Sequence, residues 1–242
     1  MLTLLIALAA GTLVGLGLHY GVGLALAYVI SIGLLVAVAL YFLIFRILSK
    51  KIQAVMEIVQ RDMMANRVEK AIKTLEGTAV YSKWLFYHKA MINAQIGSIY
   101  YLKRDFTKAF GYLQKGFTRH WGAMGMLAIC YMHKNKTSKM IETFDKALIG
   151  TRKEPILWEL YAFCLNKTGQ KEKAISTLEK GLKKIKDHEN MTANLAALKE
   201  GRKMKMQPYG DLWYQFHLES QGALIKKQTK AMTGRRKTIV RR

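Results

Sequence analysis

ILWELYAFCLNKTGQKEKAISTLEKGLKK, residues 156–184, consists of two apolar-periodic runs separated by Thr168, Gly169 and Gln170. Apolar side chains at helical spacing on both sides of a glycine-containing hinge predict two amphipathic helices folded back on one another. A helix pair of this size cannot bury its own apolar face, so it needs neighbours of the same kind.

Those neighbours are present. At a register of 34 residues Ala162 falls on Ala128, Cys164 on Cys130 and Gly181 on Ala147, and the Thr-Gly-Gln hinge falls on residues 134–136. At a spacing of 31 a third copy appears upstream, with Gly97 on Ala128, Tyr100 on Tyr131, Leu113 on Phe144 and Gly116 on Ala147. A period in this range predicts stacked supersecondary units. Small residues at 97, 128 and 162 let the two helices of a pair touch, while bulky residues fill the space between pairs.

The pattern resembles the tetratricopeptide repeat family. Its characteristic positions hold Trp158, Tyr161, Ala162, Leu165, Ala174, Leu178 and Gly181 in one copy. They hold Met124, Leu127, Ala128, Tyr131, Met140, Phe144 and Ala147 in the next, and Ile96, Gly97, Tyr100, Ala109, Leu113 and Gly116 in the third. A degenerate fourth unit is expected around RVEKAIKTLEGT, residues 67–78, so the likeness extends over about residues 54–200. Met140 stands where the family usually has Ala, and Pro155 sits at a repeat boundary. The resemblance implies an all-α repeat array, an α-solenoid, over residues 52–206.

Ahead of the array lies a segment of opposite character. Residues 2–18 and 22–45 are two runs without a charged side chain, separated by His19, Tyr20 and Gly21. Each is long enough to cross a bilayer as a helix. One helix over both would be about twice as long as the hydrocarbon core is thick, so a transmembrane hairpin over residues 1–51, turning at His19–Gly21, is expected. A cleaved leader would need a basic start, which is missing. Gly11 and Gly15, Gly17 and Gly21, and Gly33 and Ala37 recur at the four-residue spacing that lets membrane helices approach closely, within the hairpin or between copies of the chain as a homo-oligomer. Arg46, Lys50 and Lys51 follow the second span, which predicts that the soluble part faces the cytoplasm. A bacterial inner membrane is the expected setting.

The chain has 242 residues and a formal net charge of +23. The basic excess runs through residues 52–206, with 28 Lys and Arg against 14 Asp and Glu, and thickens in a tail from residue 207 with 8 against 2. Anionic lipid, an acidic protein or nucleic acid would each suit such a charge. Cys130 and Cys164 have no metal-type spacing and read as reduced packing residues. Equivalent places in adjacent units would hold their backbones about 8–10 Å apart, beyond the reach of a disulfide at about 7 Å.

No chemistry-bearing motif stands out. The six His form no pair at i, i+4, the start of a zinc-protease motif at His188 and Glu189 is broken by Thr192, and neither a phosphate-binding loop nor a nucleophile elbow occurs. The expectation is a protein that is not an enzyme and uses no cofactor or metal.

The family resemblance implies a protein-binding groove on the face made by the first helix of each pair. Carried over position by position, that face holds Met91, Tyr101, Gly122, Gly125, Ile129, Met132, Ile156, Glu159, Phe163 and Asn166. Only Asn166 matches the Lys, Asn and Arg with which chaperone-binding members clamp a C-terminal carboxylate, so that ligand is disfavoured. The face is apolar and suits an amphipathic or aromatic-rich segment.

A last repeat helix is expected over about residues 190–206, followed by residues 207–242 as an aromatic segment and a basic tail. Tyr209, Trp213, Tyr214 and Phe216 crowd into residues 208–219 and must be covered; a segment capping the open end of the array is the favoured reading, and one lying in the groove the alternative. Lys226, Lys227, Lys230, Arg235, Arg236, Lys237, Arg241 and Arg242 then form the tail, with no acid among them. It suits a solvated or membrane-apposed segment and lacks the aromatics that stack on bases. The sequence therefore predicts a membrane-anchored adaptor or scaffold that binds protein partners in a multi-subunit membrane complex. A membrane-tethered basic module binding nucleic acid or ribosomes is the alternative.

Overall fold

Every regular element among residues 2–23 and 25–219, the part of the chain described by the computed structural model, is helical. The long helices α1 (Leu2–Val22) and α2 (Leu26–Met64) come first, followed by α3 (Val68–Gly77), a 3-10 segment (Thr78–Lys83) and α4 (His88–Leu102). Then come α5 (Phe106–Leu113), α6 (Trp121–His133), α7 (Thr137–Gly150), α8 (Pro155–Lys167), α9 (Lys171–Lys184) and α10 (Glu189–Lys199). A 3-10 turn (Gln207–Tyr209) and the single turn α11 (Asp211–Tyr214) end the described chain. These elements fall into two units, residues 1–99 with 115–117 and residues 100–114 with those from 118 onward.

In the first unit α1 packs along α2. Gly11 meets the Gly33 carbonyl so closely that a side chain at position 11 would collide with it, and a Cβ on Gly33 would lie 2.8 Å from the Gly11 oxygen. Gly17 and Gly21 have open space around them, so only the first of the two glycine pairs is a packing device. The turn expected at His19–Gly21 does not fall there: α1 runs on to Val22 and α2 begins at Leu26. His19, Tyr20 and Gly21 stay helical, and the helix closes on Gly23, whose amide donates to the His19 carbonyl at 3.1 Å and whose φ is +71°. Glycine reaches that left-handed region without strain, whereas polar aromatic side chains give a helix no reason to stop.

Leu5, Leu13, Leu35 and Phe42 lie on the hairpin's outside, each 60–70% exposed. Both helices are long and apolar enough to cross a membrane. The second is also far longer than its apolar run. At 39 residues it reaches about 58 Å, about twice the hydrocarbon thickness, and it passes unbroken through residue 51, where the hairpin was expected to end. The basic residues at 46, 50 and 51 change its surface from apolar to amphipathic without breaking it, and Val59 and Asp62 become buried near its end, where α3 packs against it.

In the second unit α6 packs on α7, α8 on α9, and α6 on α8, with α10 covering α9 and α8. The corners between paired helices share one geometry. After α4, α6 and α8 the residues Arg104, Asn135 and Gly169 take left-handed φ values of 65°, 54° and 79°. The next amide in each case bonds back to the first carbonyl of the corner, Asp105 to Tyr100 at 3.0 Å, Lys136 to Tyr131 at 2.9 Å and Gln170 to Leu165 at 2.9 Å. Their spacings are the 31 and 34 residues of the sequence register. Asn66 between α2 and α3, with Arg67 bonded to Asp62 at 2.8 Å, repeats the corner in the first unit. Small residues make the close contacts: Ala109, Ala128, Ala162 and Ala174 are wholly buried, and a Cβ on Gly181 would lie 3.1 Å from the Trp158 ring. Between pairs, Phe144 stacks on Tyr161 at 4.7 Å.

Candidate protein-binding face

The first helices of the second unit, α6 and α8, present to one side the residues the register assigns to a groove, and the C-terminal residue pair of α4 adds Tyr101. Tyr101, Ile129, Met132, Ile156 and Glu159 are buried, and Phe163 and Asn166 are half-buried. That face is covered by the chain itself.

The covering segment begins where α10 stops. Gly201, at φ +75°, ends the helix, and the Arg202 amide returns to the Ala197 carbonyl at 2.7 Å. A helix reaching residue 206 is thus ruled out by a left-handed glycine, and residues 202–206 run in irregular backbone. Asn194 holds that stretch from both sides. Its Oδ1 accepts from the Lys205 amide at 2.7 Å and its Nδ2 donates to the Lys205 carbonyl at 3.1 Å, while Met204 and Met206 are buried.

The aromatic residues follow in order across the face. Tyr209 donates its hydroxyl to Glu159 Oε1 at 2.9 Å. Trp213 meets Phe163 edge to face at 4.9 Å and is fully buried. Phe216, also fully buried, sits over Gly125, where a Cβ would lie 3.2 Å from its ring. Its carbonyl accepts from the Tyr101 hydroxyl at 2.8 Å. His217 stacks on Tyr101 at 5.7 Å, and Tyr214 is half-buried. The segment is thus not the end cap that the sequence favoured: Trp213 and Phe216 lie against Phe163 and Gly125 on the face of α6 and α8, and α10 is what packs on α9. The absence of a side chain at Gly125 provides the room for Phe216.

Glu159 is the electrostatic centre of this arrangement. Its carboxylate, fully buried, accepts from Asn190 at 2.7 Å, Asn194 at 2.6 Å and Tyr209 at 2.9 Å. Burial pushes its carboxyl up to about 7, against the opposing pull of those three donors. The Tyr209 phenol is pushed up in turn, first by burial and then by the neighbouring carboxylate. A buried carboxylate engaged in this way is a structural post for the segment, not a free groove contact as its register position implied. Asn190 and Asn194 were not singled out in the sequence, although their i, i+4 spacing on a helix facing a buried acid is the signal that marks them.

Met91 lies apart from the others. It belongs to the first unit, where it is 46% exposed and lines a cavity between α2 and the start of α4. The basic residues from 226 to 242 lie outside the described residues. Cys130 and Cys164 are buried and unbridged, and burial pushes the Cys164 thiol up to about 12. Among the described residues no three His, Cys, Asp or Glu side chains gather closely enough to hold a metal ion. No family model matches the chain, and no curated protein matches it in sequence.

Proposed function

We propose that this chain is a membrane-anchored scaffold or adaptor. The apolar hairpin α1–α2 spans a bilayer with the remaining helices on the cytoplasmic side. The helix pairs form a tetratricopeptide-like array whose inner face docks an aromatic protein segment, and the protein thereby assembles or localises a membrane complex. The anchor reading is supported by the exposed leucines of the hairpin, and the orientation by Arg46, Lys50 and Lys51 beyond the second apolar run.

One observation carries the docking reading: the face of α6 and α8 already seats Trp213 and Phe216, two rings three residues apart on a short irregular segment. Aromatic anchors in pockets, with a polar post beside them, are how grooves of this kind hold a peptide. In this reading the chain's own segment occupies the place of the partner, and a partner binds by displacing it.

A labelled peptide of residues 207–219 tests this directly. It is expected to bind saturably to a Trp213→Ala/Phe216→Ala chain, whose face is open, and not to the unsubstituted chain. Far-UV circular dichroism of the double variant checks that its helices persist. A folded double variant that ignores the peptide contradicts the docking face. Because the contacts are mostly apolar, binding should change little with a roughly tenfold rise in salt, whereas nucleic-acid binding would collapse.

A further inference from the structure

The first helix has no length to spare. At 21 residues α1 reaches about 31 Å, which only matches a hydrocarbon core of about 30 Å, so in a spanning hairpin its first turn would lie at the edge of that core. Thr3, in that turn, is buried and donates its hydroxyl to the Trp84 carbonyl at 2.7 Å. This bond fixes residues 84–87, the loop that leads into α4, at the level of the start of α1. The second helix gives the same level independently. Thr3 and Leu4 line one cavity with Tyr41 and Phe45 of α2 and with Leu85 and Phe86 of the loop, and Phe45 closes the uncharged run just before Arg46.

Two rings stand out from this loop. Phe86 and Tyr87 are 57% and 58% exposed and meet edge to face at 4.1 Å. Tyr87 has left-handed backbone, φ +62°, which costs a bulky side chain more than it costs glycine or asparagine. Folding gains little from an exposed ring at such a position. The loop is nevertheless held in place: the His88 ring is bonded to the Thr78 carbonyl at 3.0 Å, and Tyr87 lies against Phe117 at 5.2 Å. Residues 78–91 contain no acid, and Lys83 and Lys89 stand on either side of the rings. Aromatic side chains favour the boundary between hydrocarbon and headgroups, and lysines beside them reach outward to the polar side.

We propose that residues 84–87 form a foot that places Phe86 and Tyr87 in the interfacial layer of the bilayer spanned by α1 and α2, a membrane contact separate from the hairpin. The proposal rests on the membrane-anchor reading. The partner is the bilayer boundary itself and not a bound lipid molecule, so a neutral membrane is enough.

The test uses the full chain in phosphatidylcholine vesicles that contain nitroxide-labelled phosphatidylcholine, with a fluorophore on one introduced cysteine. Cys130 and Cys164 are buried, which keeps the label off them. Lys83→Cys reports on the loop and leaves both rings in place. Glu69→Cys, exposed on α3 near the far end of α2, is the reference in water, and Leu13→Cys, 70% exposed midway along α1, reports on the span. With the nitroxide near the headgroup, quenching at position 83 should exceed that at position 69 by at least about threefold. Phe86→Ser/Tyr87→Ser should bring it down to the level of position 69, while quenching at position 13 by a nitroxide near the chain end stays unchanged. Quenching at position 83 no stronger than at position 69, or unaffected by the double substitution, overturns the foot when position 13 is quenched. Absence of quenching at position 13 overturns the span and the foot together.

Discussion

Glu159 gives the second unit a component of stability that is lost as pH rises. Its carboxyl titrates near 7 in the folded chain and near 4.5 when unfolded, because burial outweighs the hydrogen bonds from Asn190, Asn194 and Tyr209. Between those values the folded state keeps a proton that the unfolded state has released. The associated stability is therefore complete below about pH 4.5 and is lost as pH rises through about 7, a change on the order of 3 kcal/mol. Glu159→Gln removes this part of the dependence. His120, His133 and His217, whose pKa values burial lowers, act in the opposite sense and remain. On going from about pH 5 to about pH 8 the urea midpoint of the unsubstituted chain should therefore fall relative to that of the variant. The same pH dependence in both chains would mean that the carboxylate is not a titrating group. Cys164 makes a complementary case: with its thiol pushed up to about 12, it should resist alkylation at neutral pH until the chain is unfolded.

At the scale of the elements, two contrasts follow from who touches whom. Gly11→Leu drives a side chain into the Gly33 carbonyl, whereas Gly17→Leu enters open space. The first should destabilise the hairpin by about 1–3 kcal/mol and the second by far less, read as the shift in a detergent-denaturation midpoint. Trp213→Ala empties the pocket beside Phe163 and should cost about 3–5 kcal/mol in the second unit, checked by urea unfolding.

The same scale shows how much the sequence disclosed. The corners at 104, 135 and 169 were readable because a left-handed residue in a three-residue hinge repeats with the register. The hairpin turn was readable only to within a few residues, since neither charge nor proline marks it and a single glycine among several decides. The length of α2 was hidden because a change from apolar to basic looks like an end when it is only a change of surroundings. What covers the face of α6 and α8 depends on pairings such as Glu159 with Asn194 and Tyr101 with Phe216, separated by 35 and 115 residues, and no local pattern announces those.

For the molecule as a whole, the parts have a common logic. The hairpin exposes apolar residues along helices long enough to cross a membrane, and α2 carries the chain well past that region. The second unit keeps the apolar face of α6 and α8 occupied by its own aromatic segment, which limits the exposed patch that would otherwise promote aggregation. An occupied face is also one whose availability depends on displacing a segment held by a titratable post and two rings. In the proposed scaffold a partner would compete with an intramolecular ligand present at high effective concentration, so it would need better anchors than Trp213 and Phe216.

The most direct measurement of the scaffold reading places a photoreactive phenylalanine analogue at position 163 in the full chain, in its native membrane. In the unsubstituted background, illumination should join residue 163 to the chain's own residues 207–219. With Trp213→Ala and Phe216→Ala added, the intramolecular adduct should give way to an adduct with a second protein. Loss of the intramolecular adduct with no protein taking its place, in a chain that remains folded and membrane-bound, would contradict the account.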